Sequence, residues 1–208
     1  MRRAKNLDDK ALRFQQILDS ARALHHQFKR LPTAAELATE TGLGKGTLYL
    51  YFRSREAIFL TLLEADIKQW LSSIQQLGNP ALPFEQTMKM LIDRIASDQD
   101  TCRLAALSHG LIENSDDLDA ITKYKGAIAV AVTECADSIA RRTQHSASDI
   151  QRLLQASYAL MMGLWQAANP PAVVRAMPKA GTLQEPDFVT TSKQALLSLW
   201  QGWLLKPN

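Results

Sequence analysis

Cysteine is scarce in this 208-residue chain: only Cys102 and Cys135 are present, without a CxxC pair. The four histidines, His25, His26, His109 and His145, form no spaced ligand set with them, which argues against a disulfide scaffold or a zinc module. Each cysteine lies in an apolar, helix-like stretch, where a small buried hydrophobe is the expectation and a redox-sensing thiol the competing reading. No run approaches the roughly 18 apolar residues of a membrane span. The N-terminal Met1-Arg2-Arg3-Ala4-Lys5 leads into acidic and polar residues instead of an apolar signal core, so a soluble, cytoplasmic protein is expected. A Gly-rich phosphate loop, a metal-ligand spacing and a nucleophile motif are all missing, and the sequence reads as a non-enzyme without cofactor or metal. Alternating β-branched runs, internal repeats and low-complexity tracts are missing as well.

What is present is enough to fold. Hydrophobic residues make up 46% and charged residues 22%, so a sizeable core in one or two domains is expected. The net charge of +3 is unevenly spread. Residues 1–60 hold 11 Lys and Arg against 6 Asp and Glu, whereas residues 61–208 hold 13 against 15. A basic head on a mildly acidic body is expected when one segment alone meets a polyanion, nucleic acid first among them.

Apolar residues recur at helical spacing almost throughout, which predicts an all-α chain. Phe14, Ile17, Leu18, Ala21, Leu24 and Phe28 form a first stripe over roughly 9–29, stopped by Leu31-Pro32. Thr33-Ala34-Ala35-Glu36 has the pattern of a capping box that restarts a short helix. Ser54 offers a further N-cap, and the stripe behind it runs to Gly78-Asn79-Pro80, the expected domain seam. Later helices are predicted at about 84–98, 101–114, 117–142 and 148–168, followed by a non-helical, proline-rich connection over 169–187 and a final stripe from Leu196 to Leu204.

The segment from Ala34 to Phe52 carries the chemistry. A helix-turn-helix needs a small residue where its helices cross, a Gly at the sharp turn, and apolar residues pinning the second helix. Ala38, Gly42, and the group Leu37, Leu43, Leu48 and Tyr51 or Phe52 meet those needs. Lys45, Gly46, Thr47, Tyr49 and Leu50 are left for the outer face of the second helix. Leu50 either reaches a thymine methyl or packs inward; Tyr51 is divided between core and interface.

Gly42-Leu43-Gly44-Lys45-Gly46-Thr47-Leu48-Tyr49-Leu50-Tyr51-Phe52, followed by Arg53-Ser54-Arg55-Glu56-Ala57-Ile58-Phe59, resembles the signature of the tetracycline-repressor (TetR) family of transcriptional regulators. The resemblance covers roughly residues 13–63. It implies a helix-turn-helix DNA-binding domain over 1–53 and a helical ligand-binding and dimerisation domain over 54–208. Lys45, Gly46, Thr47, Tyr49, Leu50 and Tyr51 would then lie at or beside DNA, with Arg55 on a phosphate. Gly44 stands where the family often has Ser, and Arg30-Leu31-Pro32 lacks the glycine common between its first two helices. Arg2, Arg3 and Lys5 form either a phosphate-contacting arm or a solvated terminus.

For the body, the resemblance implies an apolar or amphipathic effector. Trp70, Met88, His109, Tyr124, Tyr158, Met162 and Trp165 are the candidates to surround it, with core packing as the alternative. Gly163, Leu164, Leu197, Trp200 and Trp203 are the candidate dimer contacts. The expected function is a homodimeric repressor that leaves its DNA operator when an effector binds. The alternative is a DNA-binding regulator or scaffold controlled by a protein partner or by thiol oxidation.

Overall fold

A computed structural model describes residues 2–75, 84–176 and 185–204. The described residues form helices joined by turns, with no strand among them. In chain order the helices are α1 (Arg2–Phe28), α2 (Ala34–Thr41), α3 (Lys45–Tyr51), α4 (Arg55–Ile74), α5 (Phe84–Ser97), α6 (Gln99–Ala106), α7 (Ser108–Glu113), α8 (Leu118–Ala140), α9 (Ala147–Ala168), α10 (Ala172–Arg175) and α11 (Phe188–Leu204). No helix among the described residues is long and apolar enough to cross a membrane.

Several helix starts are built by local hydrogen bonds. Ser54 Oγ accepts from the Ala57 amide at 3.0 Å at the head of α4. Asp117 Oδ1 accepts from Ala120 before α8, Ser146 Oγ from Asp149 before α9, and Asp187 Oδ1 from Thr190 before α11. Each occupies an orphan amide that the first turn of a helix leaves without a partner.

The chain packs into two compact units, one of residues 1–66 and 107–127, the other of residues 67–106 and 128–208. In the first, Ile17, Ala21 and Leu24 of α1, Leu37 of α2, Leu48 of α3 and Ile58, Phe59 and Leu63 of α4 are buried together as its core. Phe14 stacks on Phe52 with ring centroids 4.6 Å apart. Buried Asp66 receives both terminal nitrogens of Arg22, at 3.0 and 2.7 Å, which ties α1 to α4. The second unit is organised by α11, which packs on α5 and α9, while α6 also packs on α9. Trp165 meets Phe188 edge-on at 4.9 Å, a preferred arrangement for two ring quadrupoles.

Three expectations need correction. Helix α1 starts at Arg2, well before residue 9, so Arg2, Arg3 and Lys5 lie in its first turns; their side chains fall outside the described residues. The stretch 101–114 is two helices divided at Leu107, where the Tyr158 hydroxyl donates to the Ala105 carbonyl at 3.4 Å and occupies an acceptor of the helical ladder. The proline-rich connection contains α10: the Val174 and Arg175 amides donate to the Pro171 carbonyl, and the preset φ of proline favours a helix start there. Gly78-Asn79-Pro80 and residues 177–184 lie outside the described residues.

Where the family's glycine is missing, Lys29 takes it up: its φ is +55°, in the left-handed region. Its amide donates to the His25 carbonyl at 3.0 Å, and His25 Nδ1 lies 3.1 Å from the Arg30 carbonyl oxygen. The tight exit from α1 therefore rests on a strained lysine. Left-handed backbone costs an L-residue about 1–2 kcal/mol, and glycine gives back part of that relief through its freer unfolded chain. Lys29→Gly is expected to raise stability by ~0.5–1 kcal/mol in urea denaturation at unchanged m-value; a destabilised variant would show that the lysine side chain outweighs the strain.

Candidate nucleic-acid interface

The capping box predicted at Thr33 is formed in full. Thr33 Oγ1 accepts from the Glu36 amide at 3.2 Å, and Glu36 Oε2 accepts from the Thr33 amide at 2.7 Å. Arg30 adds a two-point ion pair to the same carboxylate, at 3.0 and 2.6 Å. That pair, with the Thr33 amide, pulls the Glu36 carboxyl down to about 2.

At the far end of α2, Gly42 has φ +65° and closes a Schellman turn. Its amide donates to the Thr39 carbonyl at 3.2 Å, and the next amide, Leu43, reaches back to Ala38 at 3.1 Å. The chain leaves α2 sharply and enters α3 through Gly44, an extended N-cap with no side-chain hydrogen bond. Leu48 is fully buried and Phe52 nearly so, which sets the rotation of α3.

With that rotation set, the outward face follows. Lys45, Gly46, Thr47, Tyr49 and Leu50 are all exposed. Leu50, at 78% exposure, faces solvent and does not pack inward. Tyr51 is half-buried, and Phe52 belongs to the core against Phe14. A Cβ built on Gly46 meets nothing within 4 Å, so the surface there is open to a close backbone approach. Arg55 is held by its neighbour Glu56, with Nη2 to Oε1 at 2.6 Å. Sequence reasoning passed over Arg53, which follows α3 directly and pairs with Asp119 at 2.5 Å. No local signal marks this pair, because its members are 66 residues apart.

The proposed effector-site residues are divided between the two units. Trp70, Met88, Tyr158, Met162 and Trp165 belong to the second unit, whereas His109 and Tyr124 belong to the first. Trp70 is buried and donates Nε1 to Asp98 at 3.2 Å; Asp98 also accepts the Thr101 amide at the head of α6. Met88, Tyr124 and Trp165 are buried, while Tyr158 and Met162 are half-buried. His109 is a correction: it stands in solvent on α7, 3.2 Å from Glu113 one turn on, and lines no interior. A polar group that the sequence did not single out is Ser192, fully buried on α11 with no partner for its hydroxyl among the described residues.

Among the dimer candidates, Gly163 is exposed, and Leu164, Leu197 and Trp203 are half-buried. Trp200 is a correction, being 4% exposed with Nε1 donating to Ser157 Oγ at 2.9 Å, so it packs inside its own body. Both cysteines are fully buried, and burial pushes each thiol up to about 12. Burial and a raised thiol pKa leave little thiolate at neutral pH, the form in which a cysteine reacts.

Residues 17–62 match the family of bacterial regulatory proteins, tetR family, and residues 64–207 match the tetracyclin repressor-like C-terminal domain. The chain belongs to the TetR family. It is therefore a DNA-binding transcriptional regulator, and regulators of this family are not enzymes. Among solved structures it resembles a TetR-family regulator described from Mesorhizobium loti, with 16% identity over 94% of this chain and 96% of that one and a TM-score of 0.59. A TetR regulator from Rhodococcus sp. RHA1 is 15% identical over 96% and 100% of the two chains, with a TM-score of 0.59. FadR of Bacillus subtilis, solved with stearoyl-CoA, is 17% identical over 91% and 98%, with a TM-score of 0.56. These likenesses establish the fold. No protein of curated function matches the sequence significantly.

The capping box makes the TetR head acid-sensitive in a defined window. The ordinary value for Glu36 is 4.5 and its folded value about 2, so the stabilisation is present above 4.5 and is lost as pH falls through about 2. Glu36→Gln should flatten the acid-denaturation profile between those limits. Indistinguishable profiles for the two proteins would mean that the box contributes nothing.

Proposed function

We propose that this regulator is a homodimeric repressor whose heads, residues 1–53, hold a pseudo-palindromic operator, and whose bodies, residues 54–208, bind an apolar or amphipathic effector that releases DNA. The observation that carries the DNA reading is the outward face of α3, where an exposed lysine, an open glycine, and exposed Thr and Tyr hydroxyls stand on a helix pinned from behind by Leu48. Lys45 neutralises a phosphate, Gly46 admits the backbone, and Thr47 and Tyr49 reach phosphate or base edges. Leu50 offers an apolar contact to a thymine methyl. Tyr51 flanks the interface, and Arg55 reaches a phosphate once it turns from Glu56.

The two heads of a dimer would place their α3 helices about 34–36 Å apart, one turn of DNA. Gly163 on α9 is exposed and a Cβ there meets nothing within 4 Å, which suits close approach of a second copy. Leu164, Leu197 and Trp203 flank that approach. In the body, the buried Ser192 hydroxyl, on a helix that packs on α5 and α9, is a polar group that an amphipathic effector would satisfy. Stearoyl-CoA, bound in the Bacillus subtilis relative, is a suitable first probe.

Fluorescence anisotropy against DNA from the protein's own upstream region, with unrelated duplex as competitor, tests the reading. Salt-sensitive binding that resists competitor and is relieved by stearoyl-CoA supports it; binding relieved by no amphipathic compound favours control by a protein partner. Lys45→Ala and Tyr49→Ala are each expected to weaken specific binding by roughly 1 kcal/mol or more per head without lowering the melting temperature, and Lys45→Ala to reduce the salt slope by about 0.9 per head. Unchanged affinity in both would remove α3 from the interface. Gly163→Arg should fold and sediment as a monomer, whereas a surviving dimer would place the interface elsewhere.

A further inference from the structure

Two cations stand between the end of α3 and the first turn of α4, and in the free protein each is held by a carboxylate. Arg55 is held within its own helix by Glu56, a half-buried pair with side chains 35% and 15% exposed. Arg53 is different. Its side chain is 76% exposed, and its partner is Asp119 in the first turn of α8, itself 81% exposed, at 2.5 Å. Asp119 sits where a helix N-terminus favours negative charge, two residues after Asp117 caps that helix.

An ion pair this exposed is weak, because water solvates both partners and salt screens them. A duplex is a much stronger anion, with one negative charge per roughly 1.7 Å of its axis. Arg53 lies one residue beyond the α3 cap, Phe52, and three beyond exposed Leu50, so DNA lying on α3 comes within the reach of a guanidinium at that position. Resting on the interface reading above, we infer that Arg53 is a further phosphate-binding residue, and that Asp119 holds it off DNA in the free protein and thereby sets operator affinity. Binding exchanges the carboxylate for a phosphodiester oxygen and leaves the Asp119 charge beside the duplex, so the pair lowers affinity without touching the residues that read bases.

The test is a double-mutant cycle with the full chain: wild type, Asp119→Asn, Arg53→Ala and the double variant. Each is titrated at several salt concentrations against a duplex that the wild type selects from a randomised library. Asp119→Asn should bind about two- to fivefold more tightly per head, the range that an exposed ion pair is worth. It should also show a steeper dependence of log K on log salt. Arg53→Ala should weaken binding, and the double variant should match Arg53→Ala, with melting temperatures at the wild-type value throughout because both side chains are exposed. An unchanged Asp119→Asn affinity overturns the inference. A gain that persists in the double variant also overturns it, since Asp119 would then repel DNA directly with no role for Arg53. A wild type that selects no sequence overturns the interface reading itself, an outcome separable from both.

Discussion

Helix α3 has seven residues, too few to hold itself together in water, and it opens on a glycine N-cap that offers no side-chain bond. Its existence depends on burying Leu48, which is fully enclosed, and on the stacked pair Phe14 and Phe52 at its exit. That constraint organises the first unit. Because Leu48 must point inward, Tyr49 and Leu50 must point outward, and the chain presents its lysine, glycine and hydroxyl groups as one face. The Gly42 turn sets the direction from which α3 enters, and the box at Thr33 holds the start of the helix before it.

Around this core the polar clamps are unequal. Asp66 is buried, and its desolvation is offset in part by the two-point contact with Arg22, a geometry suited to a planar guanidinium. Arg53 and Asp119 are both largely exposed and give up little hydration in pairing. Glu36 lies between these cases: it is accessible, but three hydrogen bonds from Arg30 and the Thr33 amide depress its titration.

In the second unit most of the large side chains serve packing. Trp165 makes a T-shaped contact with Phe188 and carries the guanidinium of Arg103 5.5 Å from its ring, and Trp200 is anchored by Ser157. The fully buried Ser192 hydroxyl is the exception, a polar group with no hydrogen-bond partner among the described residues.

How much was legible in the sequence follows from the range of each interaction. The box at Thr33, the turn at Gly42, the cap at Ser54 and the outward set on α3 depend on residues within about five positions of one another, and local chemistry determines them. The sequence alone therefore determined the helical class, the helix-turn-helix and its exposed face. Only the tertiary structure decided that Trp200 turns inward, that His109 stands in solvent, that Lys29 accepts the strain of a missing glycine, and that Arg53 pairs with a residue 66 positions away. A helical stripe states that a side chain is apolar and roughly which way it points. Whether it then meets the chain's own core, water or another molecule depends on which distant helices pack beside it, and no spacing along the chain encodes that choice.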